Sequence, residues 1–362
     1  MQCSDLSAVQ HPSEAGAIKL PVLGPPEDAQ ISAQINALIC ASKKVIITGH
    51  ERPDGDCIGS EVALCAILRE AGHQVEVVNA DPVPPRYQFL NEGMVRAAGP
   101  GENLDAALVV VLDATDLKRL GRLKRECFAS ASIIDIDHHL GNPNFGSLNW
   151  VDTKAAATGE LIFRLAACCG WNVPKLALPA LYTALVSDTG QFAYSNTSPR
   201  VLRMASVLLE LGVQPDDIWQ RLYLNKTQAE MALESRARAS LECAVGGKIC
   251  SIAISKRDFL DTGTGPQNTE DFVGIARSLA GVELAVFFYE IEQGARTKVS
   301  FRSTRALDVN ALARKFNGGG HRQAAGCTVD AGLAEAKKMV MKESENLFAA
   351  QLGDQARHQG GQ

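Results

Sequence analysis

Residues 44–60 concentrate side chains that can bind a metal ion. His50, Asp54 and Asp56 fall within seven residues of one another, and Gly55 and Gly59 lie beside them. Carboxylates crowded into one short loop repel each other unless a cation lies between them. One imidazole with two carboxylates is a donor set that suits Mn²⁺, Mg²⁺ or Zn²⁺. The alternative interpretation is a polar loop with two solvated aspartates.

Similar side chains follow other apolar segments. Asp113 ends the apolar run 106–112, the triplet Asp137-His138-His139 ends the run 132–136, and Asp188 ends an apolar segment with helical spacing. An aspartate after a strand is often only the N-cap of the next helix. However, the carboxyl ends of parallel strands meet at one crevice, so we expect these residues to lie together.

Two further features near these segments have plainer interpretations. Thr158-Gly159-Glu160 has the pattern of a helix start, and we expect it to be mainly structural, with some part in shaping the pocket. Cys57 lies inside the first loop between Asp56 and Ile58, and we expect it to be a packing residue.

The elements that position these residues indicate an α/β fold. The apolar run 45–47 is typical of a buried parallel strand, and residues 58–69 carry apolar side chains at helical spacing. Alternation of this kind predicts an N-terminal doubly wound, mostly parallel sheet. From residue 244 the composition shifts to short strands with two interleaved helices, which predicts a smaller C-terminal α/β domain with a mixed sheet.

These patterns suggest five segments. We expect a disordered or loosely docked extension over 1–28, a catalytic domain over 29–222, a helical linker over 223–242, a substrate-binding domain over 243–350 and a flexible tail over 351–362.

Composition limits the class of protein. The chain has 362 residues, 46% of them hydrophobic and 21% charged, with a net charge of −5. This charge argues against binding to long duplex DNA or to a membrane surface. No apolar run reaches the length of a membrane span, and residues 1–16 lack the features of a signal peptide. The ten cysteines are scattered without a CxxC pair, so we expect reduced thiols and a cytoplasmic protein.

Four segments together resemble the DHH phosphoesterase family, named for the Asp137-His138-His139 triplet. They are GHERPDGDCIGS, VVVLDATD, IDIDHH and LVSDTGQF, in the order expected for the family. Further on, KVSFRSTRALDVNALARKFNGGGHRQAAG resembles the C-terminal domain associated with that family. The pair is most similar to the NrnA-type branch, which degrades short oligoribonucleotides and dephosphorylates adenosine 3′,5′-bisphosphate (pAp).

The resemblance implies a role for each matching residue. It implies one divalent ion held by His50, Asp54 and Asp113, and a second held by Asp56, Asp113, His138 and Asp188. His139 would face the scissile phosphate, and Asp137 would orient one of the histidines. The family prefers Mn²⁺, with Mg²⁺ or Co²⁺ as possible substitutes.

The resemblance also implies a substrate site in the C-terminal domain. Its hallmark is the glycine run before a histidine, here Gly318, Gly319, Gly320 and His321, with Arg302 as a nearby cation. Three glycines in a row can be a flexible turn. They also let backbone N–H groups approach an anion closely, so we expect them to help bind a substrate phosphate.

Several functions share this chemistry. We expect a two-metal phosphodiesterase and phosphatase acting on short RNA and pAp, with a homodimer as a possible assembly. The alternatives are a phosphodiesterase for cyclic dinucleotides such as cyclic di-AMP or for their linear products, an inorganic pyrophosphatase, and a nucleotide-binding sensor without catalysis. The pyrophosphatase is disfavoured by the glycine–histidine run, and the sensor by the filling of every expected ligand position.

Overall fold

The chain forms two compact units, Met1–Asn225 and Lys226–Gln362. The structure is a computed structural model, and it describes residues 17–128, 130–269, 272–304, 307–320 and 322–359. His321, and residues 1–16 of the predicted extension, lie outside the described residues. Within the described part, no helix combines the length and apolar character needed to span a bilayer.

The first unit is built on a six-stranded sheet in which every pair of neighbours is parallel. Its strands are β1 Val45–Thr48, β2 Val75–Asn79, β3 Val95–Ala97, β4 Leu108–Leu112, β5 Ser132–Asp137 and β6 Leu148–Val151. Its helices are α1 Asp28–Ala41, α2 Gly55–Glu70, α3 Gln88–Asn91, α4 Thr158–Cys168, α5 Ala177–Asp188, α6 Pro199–Glu210 and α7 Pro215–Tyr223. The strand order is β3-β2-β1-β4-β5-β6. The predicted parallel sheet is therefore confirmed.

Both faces of this sheet are covered, which explains the unbroken apolar runs of its central strands. Along β4, Val110 and Leu112 pack into one core, while Val109 and Val111 pack into another on the opposite face. On the first of these faces, α2 packs against both α4 and α5. Every residue of α2 from Gly55 to Leu68 is consequently buried.

A buried ion-pair network ties the start of the unit to α4. Arg164, on α4, is 1% exposed and donates from Nε and Nη2 to the two carboxylate oxygens of Asp28, at 2.6 and 2.5 Å. Its Nη1 donates to Asp152 Oδ2 at 2.7 Å. The segment before α1 is also packed, since Leu20 is buried and the Val173 N–H donates to the Ile18 carbonyl. The described part of the predicted extension is thus docked rather than disordered.

The second unit contains a six-stranded mixed sheet, as predicted. Its strands are β7 Glu242–Ala244, β8 Ile249–Ile254, β9 Leu284–Ile291, β10 Arg296–Ser303, β11 Gly319–Gly320 and β12 Ala324–Val329. Its helices are α8 Gln228–Ala239, α9 Lys256–Thr262, α10 Val273–Arg277, α11 Val309–Arg314 and α12 Leu333–Gln359. The order is β11-β12-β10-β9-β8-β7, with β8 and β9 parallel and the other pairs antiparallel.

The structure differs from the predicted segments at both ends of this unit. Helix α8 lies in the expected linker, but its Leu233 and Ala237 are buried with Ile252 and Phe287, so it belongs to the core of the second unit. At the other end, α12 continues through Gln359, so the helix extends into most of the predicted tail. The polar sequence of α8 gave no sign that it packs into this core.

One pair of cysteines also departs from expectation. Cys243 on β7 and Cys250 on β8 face each other across an antiparallel pair and form a disulfide, with their Cα atoms 4.2 Å apart. The prediction that the cysteines are all reduced is therefore wrong for this pair. Antiparallel pairing brings directly opposite residues within bonding reach, and the spacing along the chain did not reveal that pairing.

Candidate metal centre

Three neighbouring strands deliver the candidate residues to one edge of the sheet. Strand β1 pairs with β4, and β4 pairs with β5, all in parallel. His50 follows β1, Asp113 follows β4 directly, and His138 follows β5 directly. Parallel strands that lie side by side end at the same edge, so these side chains approach each other although they are far apart in the chain.

His50 is oriented by the backbone beside it. The residue is 6% exposed, and its Nδ1 lies 2.8 Å from the Glu51 carbonyl oxygen. A carbonyl only accepts, so Nδ1 carries a proton, and in the neutral imidazole Nε2 presents a lone pair. Nε2 lies 3.5 Å from Asp113 Oδ2 and 3.8 Å from Asp54 Oδ2. A lone pair facing carboxylates is the arrangement of a metal ligand.

His138 shows the same arrangement more clearly. Its Nδ1 lies 3.4 Å from the Ala155 carbonyl, so the neutral imidazole again presents a lone pair on Nε2. Nε2 is buried and has no hydrogen-bond partner among the described residues. It faces three carboxylate oxygens, Asp188 Oδ2 at 3.1 Å, Asp113 Oδ1 at 3.5 Å and Asp56 Oδ2 at 3.6 Å. Buried polar atoms rarely lack a partner, and this nitrogen together with Asp56 and Asp188 forms a group of donors that could hold a metal ion.

The N-terminus of α4 holds two of these carboxylates. Asp56, which is fully buried, accepts from the backbone N–H groups of Thr158 at 2.6 Å and Gly159 at 2.9 Å. The Thr158 hydroxyl donates to Asp113 Oδ1 at 3.1 Å. Helix N-termini carry unpaired N–H groups and a partial positive charge, which stabilise anions. This contact fixes both carboxylates in place.

The negative charges of the buried aspartates in this cluster repel one another. Burial, together with the charges of Asp113 and Asp188, raises the pKa of Asp56 well above its usual value. Burial opposes ionisation of Asp113 as well, but the interactions with the neighbouring His138 and His50 imidazoles outweigh it and hold the pKa of Asp113 well below the usual value. Burial is also the main reason that the pKa of Asp188 is raised. Carboxylates crowded in this way are stabilised by a divalent cation.

Asp137 differs from the other aspartates because hydrogen-bond donors occupy both of its oxygens. Oδ1 accepts from the backbone N–H groups of His138 and His139 and lies 2.7 Å from His139 Nδ1. Oδ2 accepts from the Asn142 side-chain amide at 2.8 Å. Burial favours the neutral acid, but the His139 hydrogen bond outweighs it and lowers the pKa of Asp137. Asp137 therefore positions His139.

Asp54 is partly occupied as a helix cap. Its Oδ1 accepts from the N–H groups of Asp56 and Cys57 at the start of α2, and only Oδ2 is directed toward His50. The alternative N-cap interpretation of these aspartates thus holds for one oxygen of Asp54. The Cys57 thiol, in contrast, lies in the cluster, since its sulfur, a ring nitrogen of His50 and a carboxylate oxygen of Asp113 are within 4.8 Å of one another.

The predicted substrate residues lie in the second unit. Arg302 lies near the C-terminal end of β10, and its Nη1 donates to the Phe301 carbonyl at 3.0 Å. Gly319 and Gly320 form β11 and pair with Gly326 and Ala325, so the run is part of the sheet and not a flexible turn. A β-carbon at Gly318 would lie 2.2 Å from the Gly326 carbonyl, and one at Gly320 would lie 2.5 Å from the Ala324 carbonyl. Close strand packing therefore requires two of the three glycines.

Several residues contact the first site more closely than their sequence patterns predicted. Thr158 was expected to be mainly a helix start and Cys57 only a packing residue. Asn142, which supports Asp137, and Asn196, whose amide donates to the carbonyls of Ala156 and Asp188, were not singled out. The Thr-Gly-Glu capping pattern was the signal available for Thr158. The two asparagines carry no such signal, because their partners are distant in the chain or depend on loop geometry.

Known proteins provide an independent comparison. Residues 44–186 match the DHH family, N-terminal domain, and residues 248–350 match the DHHA1 domain. The chain is 34% identical over 288 residues to the bifunctional oligoribonuclease and PAP phosphatase NrnA of Thermus thermophilus, covering 79% of this chain and 84% of the relative. It is 30% identical over 288 residues to the protein of the same name from Bacillus subtilis, covering 79% of this chain and 89% of the relative.

A solved structure agrees with these relatives. The crystal structure of an exopolyphosphatase-related protein from Bacteroides fragilis is 26% identical, with a TM-score of 0.82, and the match covers 87% of this chain and 95% of that one. The two domain matches, the long alignments and the shared fold all lead to one assignment. This chain belongs to the DHH family of phosphoesterases.

Proposed function

We propose that this chain is a metal-dependent hydrolase that cleaves short oligoribonucleotides and removes a phosphate from nucleoside 3′,5′-bisphosphates such as pAp. The observation that carries the proposal is His138 Nε2, a buried lone pair without a hydrogen-bond partner among the described residues, facing three carboxylates. The substrate class follows the names of the Thermus and Bacillus relatives, which describe an oligoribonuclease and a PAP phosphatase.

We assign two divalent cations, most simply Mn²⁺, to the cluster. One would be held by His50, Asp54 and Asp113, and the other by Asp56, Asp113, His138 and Asp188, with Asp113 shared. The donor set of imidazoles and carboxylates fits, because a ring nitrogen of each histidine faces several carboxylates, and burial and mutual repulsion oppose the ionisation of Asp56. When bound, such a pair of ions supplies Lewis acidity at the phosphoryl oxygens and makes a bound water more acidic.

Side chains and backbone groups of the chain would contact the phosphate and hold the metal ligands in place. His139 would donate a hydrogen bond or proton to the phosphate group, and Asp137 keeps its Nδ1 protonated and its ring in one orientation. The N–H groups of Thr158 and Gly159 hold Asp56, so that carboxylate keeps its place when the local charge changes. No serine or cysteine nucleophile is required for this chemistry.

We propose that the glycine run of the second unit binds a substrate phosphate, together with Arg302 and His321. Strand packing accounts for Gly318 and Gly320, but among the described residues other than its chain neighbours, a β-carbon at Gly319 would have only Asn310 Oδ1 within 4.0 Å. Gly319 is also exposed. Packing therefore does not require a glycine there, whereas the close approach of a phosphate to the backbone would.

The test compares turnover of pAp and of a labelled dinucleotide by the wild type and by the Asp113→Ala variant, each with and without Mn²⁺. Loss of a shared ligand should reduce kcat by more than about 100-fold, since metal assistance supplies several kcal/mol of barrier lowering. Asp105→Ala is the matched control, because Asp105 is an exposed aspartate just before β4. It should retain wild-type turnover.

Full activity of the Asp113→Ala variant would overturn the assignment of the metal centre. Cyclic di-AMP should be included as a third substrate. Faster turnover of the cyclic compound than of pAp and the dinucleotide would favour the cyclic-dinucleotide alternative over the function proposed here.

A further inference from the structure

The thiol of Cys57 occupies the His50 side of the metal centre. Cys57 lies in the first turn of α2 and is fully buried. Its sulfur, a ring nitrogen of His50 and a carboxylate oxygen of Asp113 lie within 4.8 Å of one another, a spacing that allows all three to contact one ion. The imidazole is itself 6% exposed, with its Nδ1 proton directed to the Glu51 carbonyl and its Nε2 lone pair toward the carboxylates.

Asp54 is the oxygen donor assigned to the same ion, but its side chain is more exposed and one of its oxygens has other partners. Its side chain is 44% exposed, and its Oδ1 is occupied by two N–H groups at the start of α2. Within the described part of the chain, Asp54 is absent from the groups of three donors that meet the same distance limit. The buried third donor beside His50 and Asp113 is therefore sulfur.

The surrounding residues give the thiol a defined position. A β-carbon on Gly49 would lie 2.3 Å from the sulfur, so the glycine leaves the space that the thiol fills. The thiol donates to Glu61 Oε1 at 3.6 Å, and Asn79 holds the other oxygen of Glu61 at 2.8 Å. A buried glutamate and asparagine thus support the sulfur at the edge of the metal centre.

We propose that Cys57 is a sulfur ligand of the cation at His50 and Asp113, which raises the affinity of this position for thiophilic ions such as Zn²⁺, Cd²⁺ and Co²⁺ relative to its affinity for Mn²⁺. The inference rests on the proposed function, since it uses the same centre. On binding, the S–H bond breaks, the proton leaves to solvent, and a sulfur–metal bond forms without oxidation. Thiolate ligands favour softer ions, whereas oxygen ligands suit Mn²⁺ and Mg²⁺.

The test detects a thiolate bound to the metal by its absorption and does not depend on turnover. The full-length wild type, Cys57→Ala, Cys57→Ser and Cys65→Ala are each loaded with Co²⁺, and the near-ultraviolet absorption is recorded for thiolate-to-cobalt charge transfer. Cys65 is the matched control, because it is also a buried cysteine on α2. We expect the band in the wild type and in Cys65→Ala and its loss in both Cys57 variants. The serine variant preserves the test where the alanine variant does not fold.

Competition between Cd²⁺ and Mn²⁺ in equilibrium dialysis gives a second measurement. Loss of the sulfur should weaken Cd²⁺ relative to Mn²⁺ by at least the ~10–100-fold that removal of a supporting residue costs a metal site. A wild type without the charge-transfer band, or a band that persists in the Cys57 variants, would overturn the inference. Mn²⁺-dependent hydrolysis of pAp by that same wild type would show that the proposed function stands without it.

Discussion

Asp137 controls the charge of His139 through one short contact. Its Oδ1 lies 2.7 Å from His139 Nδ1, and hydrogen-bond donors occupy both oxygens of the carboxylate. Burial lowers the pKa of His139, but the Asp137 hydrogen bond and the charge of Asp113 outweigh it, so the net effect is a raised pKa. An imidazole held in this state is a good proton donor at neutral pH.

Substitution of Asp137 should therefore change the pH dependence of catalysis. Asparagine removes the negative charge, so the pKa of His139 falls and its proton is lost at lower pH. For the Asp137→Asn variant we expect the alkaline limb of the kcat/KM profile for pAp to move to lower pH by about one unit, which corresponds to about 1.4 kcal/mol. The measurement is kcat/KM across the pH range at saturating Mn²⁺.

Asp116→Asn provides the control for that profile. Asp116 caps the short helical turn Leu117–Leu120, and asparagine is an equally good N-cap, so the profile should not move. A shift of the alkaline limb to higher pH in Asp137→Asn would contradict the role assigned to His139 and Asp137.

Among the helices, α4 supports the candidate metal centre through hydrogen-bond donors at its N-terminus. Thr158 contributes a backbone N–H to Asp56 and a hydroxyl to Asp113. Valine at this position keeps the N–H and removes only the hydroxyl. A hydrogen bond to a charged group is worth about 1.5–3 kcal/mol, so Thr158→Val should raise the Mn²⁺ concentration for half-maximal activity by about 10–100-fold.

A second buried threonine separates this effect from general packing. Thr183, on α5, is fully buried, and its hydroxyl has no hydrogen-bond partner among the described residues. Thr183→Val should leave the Mn²⁺ titration unchanged. An equal shift in both variants would show that the Thr158 hydroxyl has no specific effect on the centre.

Helix α5 approaches both α2 and α4 closely, at positions occupied by glycine. A β-carbon at Gly159 would lie 2.4 Å from the β-carbon of Ala184, and one at Gly59 would lie 2.5 Å from the Ala180 carbonyl. The first contact is with a side chain, and the second is with backbone. Gly159→Ala should therefore destabilise the protein by about 1–3 kcal/mol through overpacking, and Ala184→Gly in the same chain should restore part of that loss.

The measurement is the free energy of unfolding by denaturant for the two single variants and the double variant. Gly59→Ala combined with Ala184→Gly is the control. It should show less rescue, because Ala184→Gly removes only a contact at 3.0 Å, while the Ala180 carbonyl at 2.5 Å from the new methyl group remains. Rescue of both glycine variants to the same extent would show that the helices adjust in another way.

The elements differ in how well the sequence predicted them. Strands β1 and β4 were predicted because both of their faces are buried and their runs are almost entirely apolar, and β5 was predicted from its three isoleucines although Asp135 interrupts them. Strand β3 was not predicted, since it has three residues and only Val95 is buried. Helix α12 has a weak apolar pattern along 27 residues and was also missed. The residues that follow the long strands were found for the same reason, whereas the backbone donors at Thr158 and Gly159 depend on a contact across the fold.

At the scale of the whole molecule, each unit has a core of its own. The proposed ligands all belong to the first unit, while Ile249, Phe288 and Val299 are part of a separate core in the second. A ligand that binds only the folded state stabilises the part that holds it, by about 2.7 kcal/mol at 100 times the dissociation constant. Mn²⁺ should therefore raise the melting temperature of the first unit and not of the second.

Differential scanning calorimetry of the full chain tests this expectation. We expect two transitions, of which one moves upward with Mn²⁺, and we expect no movement in the Asp113→Ala variant. Equal movement of both transitions in the wild type, or movement of neither, would contradict the assignment of the cations to the first unit.

The order of the cluster along the polypeptide has a consequence for its biosynthesis. His50, Asp56, Asp113 and His138 leave the ribosome before α5, and Asp188, whose oxygen is the nearest of the three carboxylate oxygens around His138 Nε2, is the last residue of that helix. Domains generally fold as units, and the N-terminal domain folds first during synthesis. A nascent chain that stalls before residue 188 thus carries the Asp-His-His triplet but an incomplete ring of oxygens. Translation itself therefore delays the appearance of an assembled hydrolytic centre until the end of α5 has emerged.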